Sequence, residues 1–241
     1  MNVLKAVFFD LDDTLCDDAK VWVSSAHGAA QIALERRGID PGPLVEAFLR
    51  ISEAYWMSLQ PVTEKRPLLD IRAAQWGSAL FEATGSVDPD LALDLGRDYG
   101  ERRSTDIRLF PDALTTLAVL KDYGLKLALL TNGVQLTHVE KIKFLRLESE
   151  FDHILLADAI GSFKPDPYIF REAVKRCHCV PSEAVMVGDH LRNDIGGAQS
   201  VGIDGYWFNP GGLKASKGDP VPKGEIKSLS ELLTLLEPQL P

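Results

Sequence analysis

Cysteine is scarce in this chain: Cys16, Cys177 and Cys179 are the only three among 241 residues. A low, odd count excludes a disulfide scaffold and fits a reducing compartment. No apolar run approaches the ~20 residues of a membrane span. The N-terminus carries one lysine in an apolar segment that runs into acids, which is not the layout of a signal peptide. A cytoplasmic protein that does not engage membranes is expected. Positive charge is also short, with 26 Lys and Arg against 35 Asp and Glu, a net charge of −9. That balance argues against a nucleic-acid partner, although an anionic small molecule can still meet a local positive site. The sequence has no internal repeat and no low-complexity tract.

What is present is ordinary in bulk, with 45% hydrophobic and 25% charged residues, and informative in its order. Five short apolar runs are separated by helix-like segments: Val3–Phe9, Leu125–Leu130, His153–Ala157, Ala184–Val187 and Gly205–Phe208. Runs apolar on both faces predict a parallel sheet covered by helices, an α/β, doubly wound core. The gap between the first two runs is far longer than one crossover. It holds four segments with apolar residues at three-to-four spacing and a Gly or Pro stop: 20–37, 44–59, 68–84 and 89–103. The expectation is a core of residues 1–15 and 108–241 with a four-helix insert over 16–107. An amphipathic crossover helix is predicted within 109–124, a loop over 209–224, and a terminal helix over 229–236.

In such a sheet, ligands bind at the carboxyl ends of the strands. The first run ends in Asp10, Asp12 and Asp13, the second in Thr131, Asn132 and Gly133. Lys164 follows the third, and Asp189 and Asp194 follow the fourth. Clustered carboxylates repel one another, and hard oxygen donors suit Mg²⁺. Thr131, Asn132 and the amides beside Gly133 can donate to phosphate oxygens, and Lys164 adds a compact positive charge. Asp10 and Asp12, two apart in an extended segment, point to the same side. One carboxylate can attack phosphorus while the other serves the leaving oxygen. Asp13 is more simply a turn former.

These stretches, "DLDDT" (10–14), "LLTNG" (129–133), "KPDP" (164–167) and "GDHLRND" (188–194), resemble the four motifs of the haloacid dehalogenase superfamily, in order and over essentially the whole chain. The resemblance implies Asp10 as nucleophile through an aspartyl-phosphate, and Asp12 as general acid and then base. It implies Asp10, the Asp12 carbonyl and Asp189 as Mg²⁺ ligands, with Asp194 supporting the metal. Thr131 and Lys164 match its phosphate-binding positions, and the helical insert resembles its type-one cap. Within the superfamily, "AVFFDLDDTL", "VMVGDHLRNDIGGAQSVGI" and the insert segment "DIRAAQW" (70–76) are most similar to the N-acylneuraminate-9-phosphatase and pyrimidine 5'-nucleotidase group. The resemblance implies a phosphatase of a small phosphorylated metabolite (a sugar phosphate, an acylneuraminate phosphate or a nucleotide); the sequence leaves open whether it is a monomer or dimer.

Other readings stay open. A 2-haloacid dehalogenase lacks the acid two residues after the nucleophile, so Asp12 argues against it. A phosphomutase is not excluded. A receiver-like phosphoacceptor domain gathers similar groups, but is about half this length and has no cap. Arg72 lies four residues before Trp76 on one helix face. It is either a surface arginine packed on an aromatic or a contact to a second anionic group of the substrate. The Cys177-His178-Cys179 triplet lacks zinc spacing and is expected at a helix end.

Overall fold

The computed structural model describes residues 3–58 and 66–240. They form two compact units, Met1–Asp17 with Arg108–Pro241, and Asp18–Ile107. Among the described residues, no helix is long and apolar enough to cross a membrane.

The first unit is α/β. Strand β1 (Ala6–Phe9) is followed, beyond the insert, by α5 (Ala113–Asp122), β2 (Lys126–Thr131), α6 (Gln135–Phe144), β3 (His153–Leu156), α7 (Ala157–Ile160), α8 (Pro167–Arg176) and β4 (Ala184–Gly188). A π turn, Leu191–Gly196, then runs into α9 (Gly197–Gln199), β5 (Asp204–Phe208), β6 (Gly224–Ile226) and α10 (Leu229–Leu236). All the strands are parallel, in the order β3-β2-β1-β4-β5-β6. The chain therefore reverses its direction of winding beside β1, and this switch point is where a parallel sheet offers a crevice. Every side chain of β1 is buried. Ala6 and Phe8 pack on one face with Ala128, Leu130, Ile169, Phe170 and Met186. Phe9, on the other face, meets Phe151 edge-on at 6.3 Å. Burial on both faces explains why β1 is apolar without alternation. It also makes β1 a rigid base for whatever follows it.

Three details depart from the sequence reading. Gly224–Ile226 is a sixth strand, not the end of a loop. It pairs with β5, Tyr206 opposite Gly224. Only Ile226 is buried there and lysines flank it, the composition of a guarded edge strand. The crossover helix starts at Ala113, because the returning chain first docks on the segment after β1: the Phe110 amide donates to the Leu15 carbonyl at 2.9 Å. Ala157, expected to close the third strand, instead opens α7.

The second unit holds α1 (Asp18–Arg37), α2 (Pro41–Ser58), α3 (Leu68–Thr84) and α4 (Pro89–Asp106). The expected helix end at Leu59 and the stop at Pro61 lie outside the described residues. Small residues of α1, Ala26, Ala29, Ala30 and Ala33, let the helices approach closely around Phe48, Trp76 and Leu95. Trp76 stacks on Phe48 with ring centroids 3.8 Å apart. The unit's two ends are tied by Arg103 of α4, which grips both oxygens of Asp18 at 2.8 and 3.0 Å. One nitrogen, Nη2, meets both oxygens while Nη1 donates to the Asp18 carbonyl at 3.1 Å, and a pair shielded from water in this way is worth more than an exposed one.

Candidate functional site

The register of the sheet sets the site. Phe9 lies opposite Leu129 on one side and Val187 on the other. The chains after β1, β2 and β4 therefore leave the sheet side by side, and the Asp10 amide still donates to the Val187 carbonyl at 3.0 Å.

At the centre is Lys164, only 4% exposed. Its Nζ lies 2.7 Å from Asp10 Oδ1 and 2.6 Å from Asp194 Oδ1. Burial alone depresses a lysine, but the two carboxylates outweigh it and hold the ammonium above its ordinary pKa. Asp194 is fully buried, and its second oxygen accepts from the His190 amide at 3.0 Å. Gly188 is required here, because a Cβ at that position would overlap the Asp194 carboxylate. Ligand oxygens of Asp10, Asp189 and Asp194 all lie within 4.8 Å of one another. Burial pushes the Asp10 carboxyl well above the usual range; Lys164 offsets part of this, and Asp194 and Asp189 add to it. Asp189 is pushed up to about 7 by burial, Asp194 and Asp13, against Lys164 and Thr14. A set of hard oxygen donors whose negative charge exceeds the one cation between them fits a divalent metal.

Thr14, which follows the acids at the end of the first run, and Trp207, which was not singled out from the sequence, hold Asp189. The Thr14 hydroxyl donates to Asp189 Oδ1 at 3.2 Å and accepts from the Asp189 amide at 3.0 Å. The Trp207 indole donates to the Asp189 carbonyl at 2.7 Å. Thr14 is the last letter of "DLDDT", so its position was visible; Trp207 had no local signal and is placed by the pairing of β4 with β5, Gly188 opposite Trp207.

On the β2 side, buried Thr131 accepts from the Gly133 amide at 3.0 Å, leaving its hydroxyl proton to donate elsewhere. That amide, expected to face phosphate, is thus engaged. Asn132 differs more from its expected part. Its side chain donates to the Lys164 carbonyl at 2.9 Å and accepts from the Lys164 amide at 2.6 Å. Both ends of the amide are committed to the backbone of Lys164, so Asn132 fixes the lysine loop.

Asp12 is held apart from this cluster. His138 and Lys141, both on α6, meet its two carboxylate oxygens. Burial pushes the Asp12 carboxyl up, but Lys141 and His138 together hold it well below the usual range. The two aspartates, two residues apart, therefore sit in opposite electrostatic settings. Asp13 has φ +58° and turns the chain, as expected of it. His190 accepts from the Asn193 amide at 3.2 Å and caps the π turn. Cys177 ends α8, and burial pushes its thiol up to about 12, the mark of an inert cysteine.

In the helical unit, Arg72 and Trp76 part company. Trp76 is core. The Arg72 guanidinium lies over the Tyr99 ring at 5.6 Å, in space that Gly100 leaves open. It shows no carboxylate partner among the described residues.

Residues 4–202 match the family described as haloacid dehalogenase-like hydrolase. The chain is 31% identical to the glyceraldehyde 3-phosphate phosphatase of Methanothermobacter thermautotrophicus, over 96% of this chain and 100% of that one. It is 30% identical to human N-acylneuraminate-9-phosphatase, over 98% and 95% of the two chains. Among solved structures, the 2-haloacid dehalogenase of Pseudomonas syringae pv. Tomato DC3000 is 32% identical, with a TM-score of 0.68 and coverage of 98% and 99%.

Proposed function

This chain belongs to the haloacid dehalogenase-like hydrolase family, and on that premise we propose that it is a Mg²⁺-dependent phosphatase of small phosphomonoesters that works through an aspartyl-phosphate on Asp10. The observation that carries the reading is the buried Lys164 bridging Asp10 and Asp194, with Asp189 beside them. It fixes one compact ammonium next to a carboxylate at a strand end, where a dianionic phosphate needs a cation. The two phosphatase relatives act, by their names, on small phosphorylated metabolites.

Asp10 attacks phosphorus as the P–O bond to the alcohol breaks, and Asp12, which must first take up a proton against the pull of Lys141 and His138, gives that oxygen the proton. Asp12, now a carboxylate, takes a proton from the water that hydrolyses the aspartyl-phosphate, and Asp10 is regenerated. Thr131 and Lys164 bind the phosphoryl oxygens. Asp10, the Asp12 carbonyl and Asp189 would hold the metal, with Asp194 in support. A bound divalent cation supplies charge neutralisation between an anionic nucleophile and an anionic substrate. The unit Asp18–Ile107 is the cap.

The likeness to a dehalogenase favours a second reading, halide displacement by Asp10, against which Asp12 stands. A screen of sugar, acylneuraminate and nucleotide monophosphates, run beside 2-chloropropionate with Asp10→Asn as the blank, separates the two. Phosphate release is expected; halide release alone overturns the proposal.

Metal binding should depend on pH. Asp189, with its carboxyl near 7, must lose its proton to serve as a ligand, so protons compete with Mg²⁺. Apparent affinity should rise at least about tenfold from pH 6 to pH 8, read by calorimetry, because Asp10, also raised by burial, must lose its proton as well. A pH-independent affinity would remove Asp189 from the ligand set. We also assign to Arg72 the recognition of a second anionic group on the substrate. Arg72→Ala should raise KM about tenfold or more for a doubly anionic substrate, the worth of one charged hydrogen bond, and leave p-nitrophenyl phosphate unchanged. Equal effects on both substrates would reject the assignment.

A further inference from the structure

Nothing in composition or spacing singles out His138 or Lys141, and neither lies in the four motifs. They stand three residues apart on α6, which puts them on one helix face. Lys141 Nζ donates to Asp12 Oδ1 at 2.7 Å, and His138 Nε2 lies 2.7 Å from Asp12 Oδ2. Each oxygen of one carboxylate thus has its own partner. The His138 ring is fixed in turn. It is 7% exposed, its Nδ1 lies 2.8 Å from the Thr137 hydroxyl, and a Cβ on Gly133 would overlap it. The glycine of "LLTNG" therefore has a local purpose, which is to let the imidazole pass over the backbone towards Asp12. Asp10 takes no part in this arrangement, because its cation is Lys164.

Two partners on two oxygens remove the rotational freedom of the carboxylate. The Cys16 thiol also donates to Oδ1, at 4.0 Å, so it is Oδ2, with its second lone pair, that can still meet an alcohol or a water. We infer that His138 and Lys141 are positioning residues that fix the direction from which Asp12 exchanges its proton with the leaving alcohol and the attacking water. The inference rests on the reading of Asp12 as the proton carrier. The balance is closed within that cycle: Asp12, ionised between His138 and Lys141, takes up a proton before the first turnover and passes it to the departing oxygen, and an equivalent one returns from water. His138 and Lys141 neither gain nor lose a bond to phosphorus.

The test is kcat/KM with Mg²⁺ on glycerol 2-phosphate and on p-nitrophenyl phosphate. The ratio kcat/KM covers steps only up to departure of the alcohol, so the later hydrolysis does not enter. A poor leaving group needs the proton and a good one does not. Lys141→Met and His138→Leu should each lower the value for glycerol 2-phosphate by about 10- to 100-fold, part of the roughly 10²–10⁴ that a placed acid contributes. For p-nitrophenyl phosphate the loss should stay under about threefold. Lys141→Arg should restore most of the alkyl activity. Equal losses on both substrates overturn the inference, as does a Lys141→Arg variant no better than Lys141→Met. Lys141→Gln and His138→Gln, measured with their melting curves, serve if the first variants do not fold. Asp12→Asn in the same series separates the two readings. If it too loses equally on both substrates, the acid role itself falls. If it discriminates and the α6 variants do not, only the positioning role falls.

Discussion

Asp10→Asn will lose turnover by on the order of 10⁴-fold or more, the scale seen when a covalent nucleophile is removed, and will not lose stability. Asparagine has the shape of aspartate but no nucleophilic oxygen. Its backbone bond to the Val187 carbonyl stays, and Lys164 keeps Asp194. The stability half follows from sign. The folded pKa of Asp10 is raised, with burial the largest cause. Its ionised form therefore costs folding free energy at neutral pH, and that cost is relieved only as pH falls below the raised folded value. A neutral amide removes the cost at every pH. The metal-free variant should melt at or above the metal-free wild type. Mg²⁺ should raise the melting temperature of the wild type by more, since a ligand stabilises the folded state more the tighter it binds. Calorimetric melts and a phosphate-release assay check both halves. Turnover near the wild-type rate would discard Asp10 as nucleophile. A clear fall in melting temperature would discard the account of its burial.

That result would also show how one aspartate differs from its neighbour, which the sequence did not reveal. The spacing in "DLDDT" placed Asp10 and Asp12 together after a buried strand, and the strand is there for the physical reason given: residues apolar on both faces need cover on both faces. The four insert helices were legible because Gly38, Gly85 and Pro89 punctuate an apolar repeat, and Gly85 caps α3 in the left-handed region at φ +74°. What stayed hidden was set by partners remote in sequence. Asp12 is 126 and 129 residues from His138 and Lys141, and a histidine on a helix carries no mark of which carboxylate it will meet. Asn132 looked like a phosphate donor because it sits between Thr131 and Gly133, but the amide is used by a loop 32 residues on. Strand β6 was missed because an edge strand of mixed polarity has no periodicity to read, and only pairing with β5 defines it.

The second large effect belongs to Lys164→Met, and it falls first on stability. Lysine and methionine have similar length, so the loss is of charge rather than of volume. The ammonium bridges Asp10 and Asp194 in a place closed to water. Without it, fully buried Asp194 keeps one backbone donor, the His190 amide, and faces Asp10 and Asp189 with no cation between them. Removing one partner of a buried ion pair costs about 3–5 kcal/mol, because the remaining charge is uncompensated. At roughly 2–4 °C per kcal/mol for a domain of this size, the melting temperature should fall by about 6–20 °C. If that cost is the orphaned charge, a second change that removes the charge should return stability without returning function. Lys164→Met with Asp194→Asn should therefore melt well above Lys164→Met alone, a non-additive pair as expected for groups in contact. It should still lack phosphatase activity, because no ammonium then meets the phosphoryl oxygens beside Asp10. A single variant melting within about 2 °C of wild type would mean that water or rearrangement already screens Asp194. A double variant no more stable than the single one would move the cost from the charge to the packing around it.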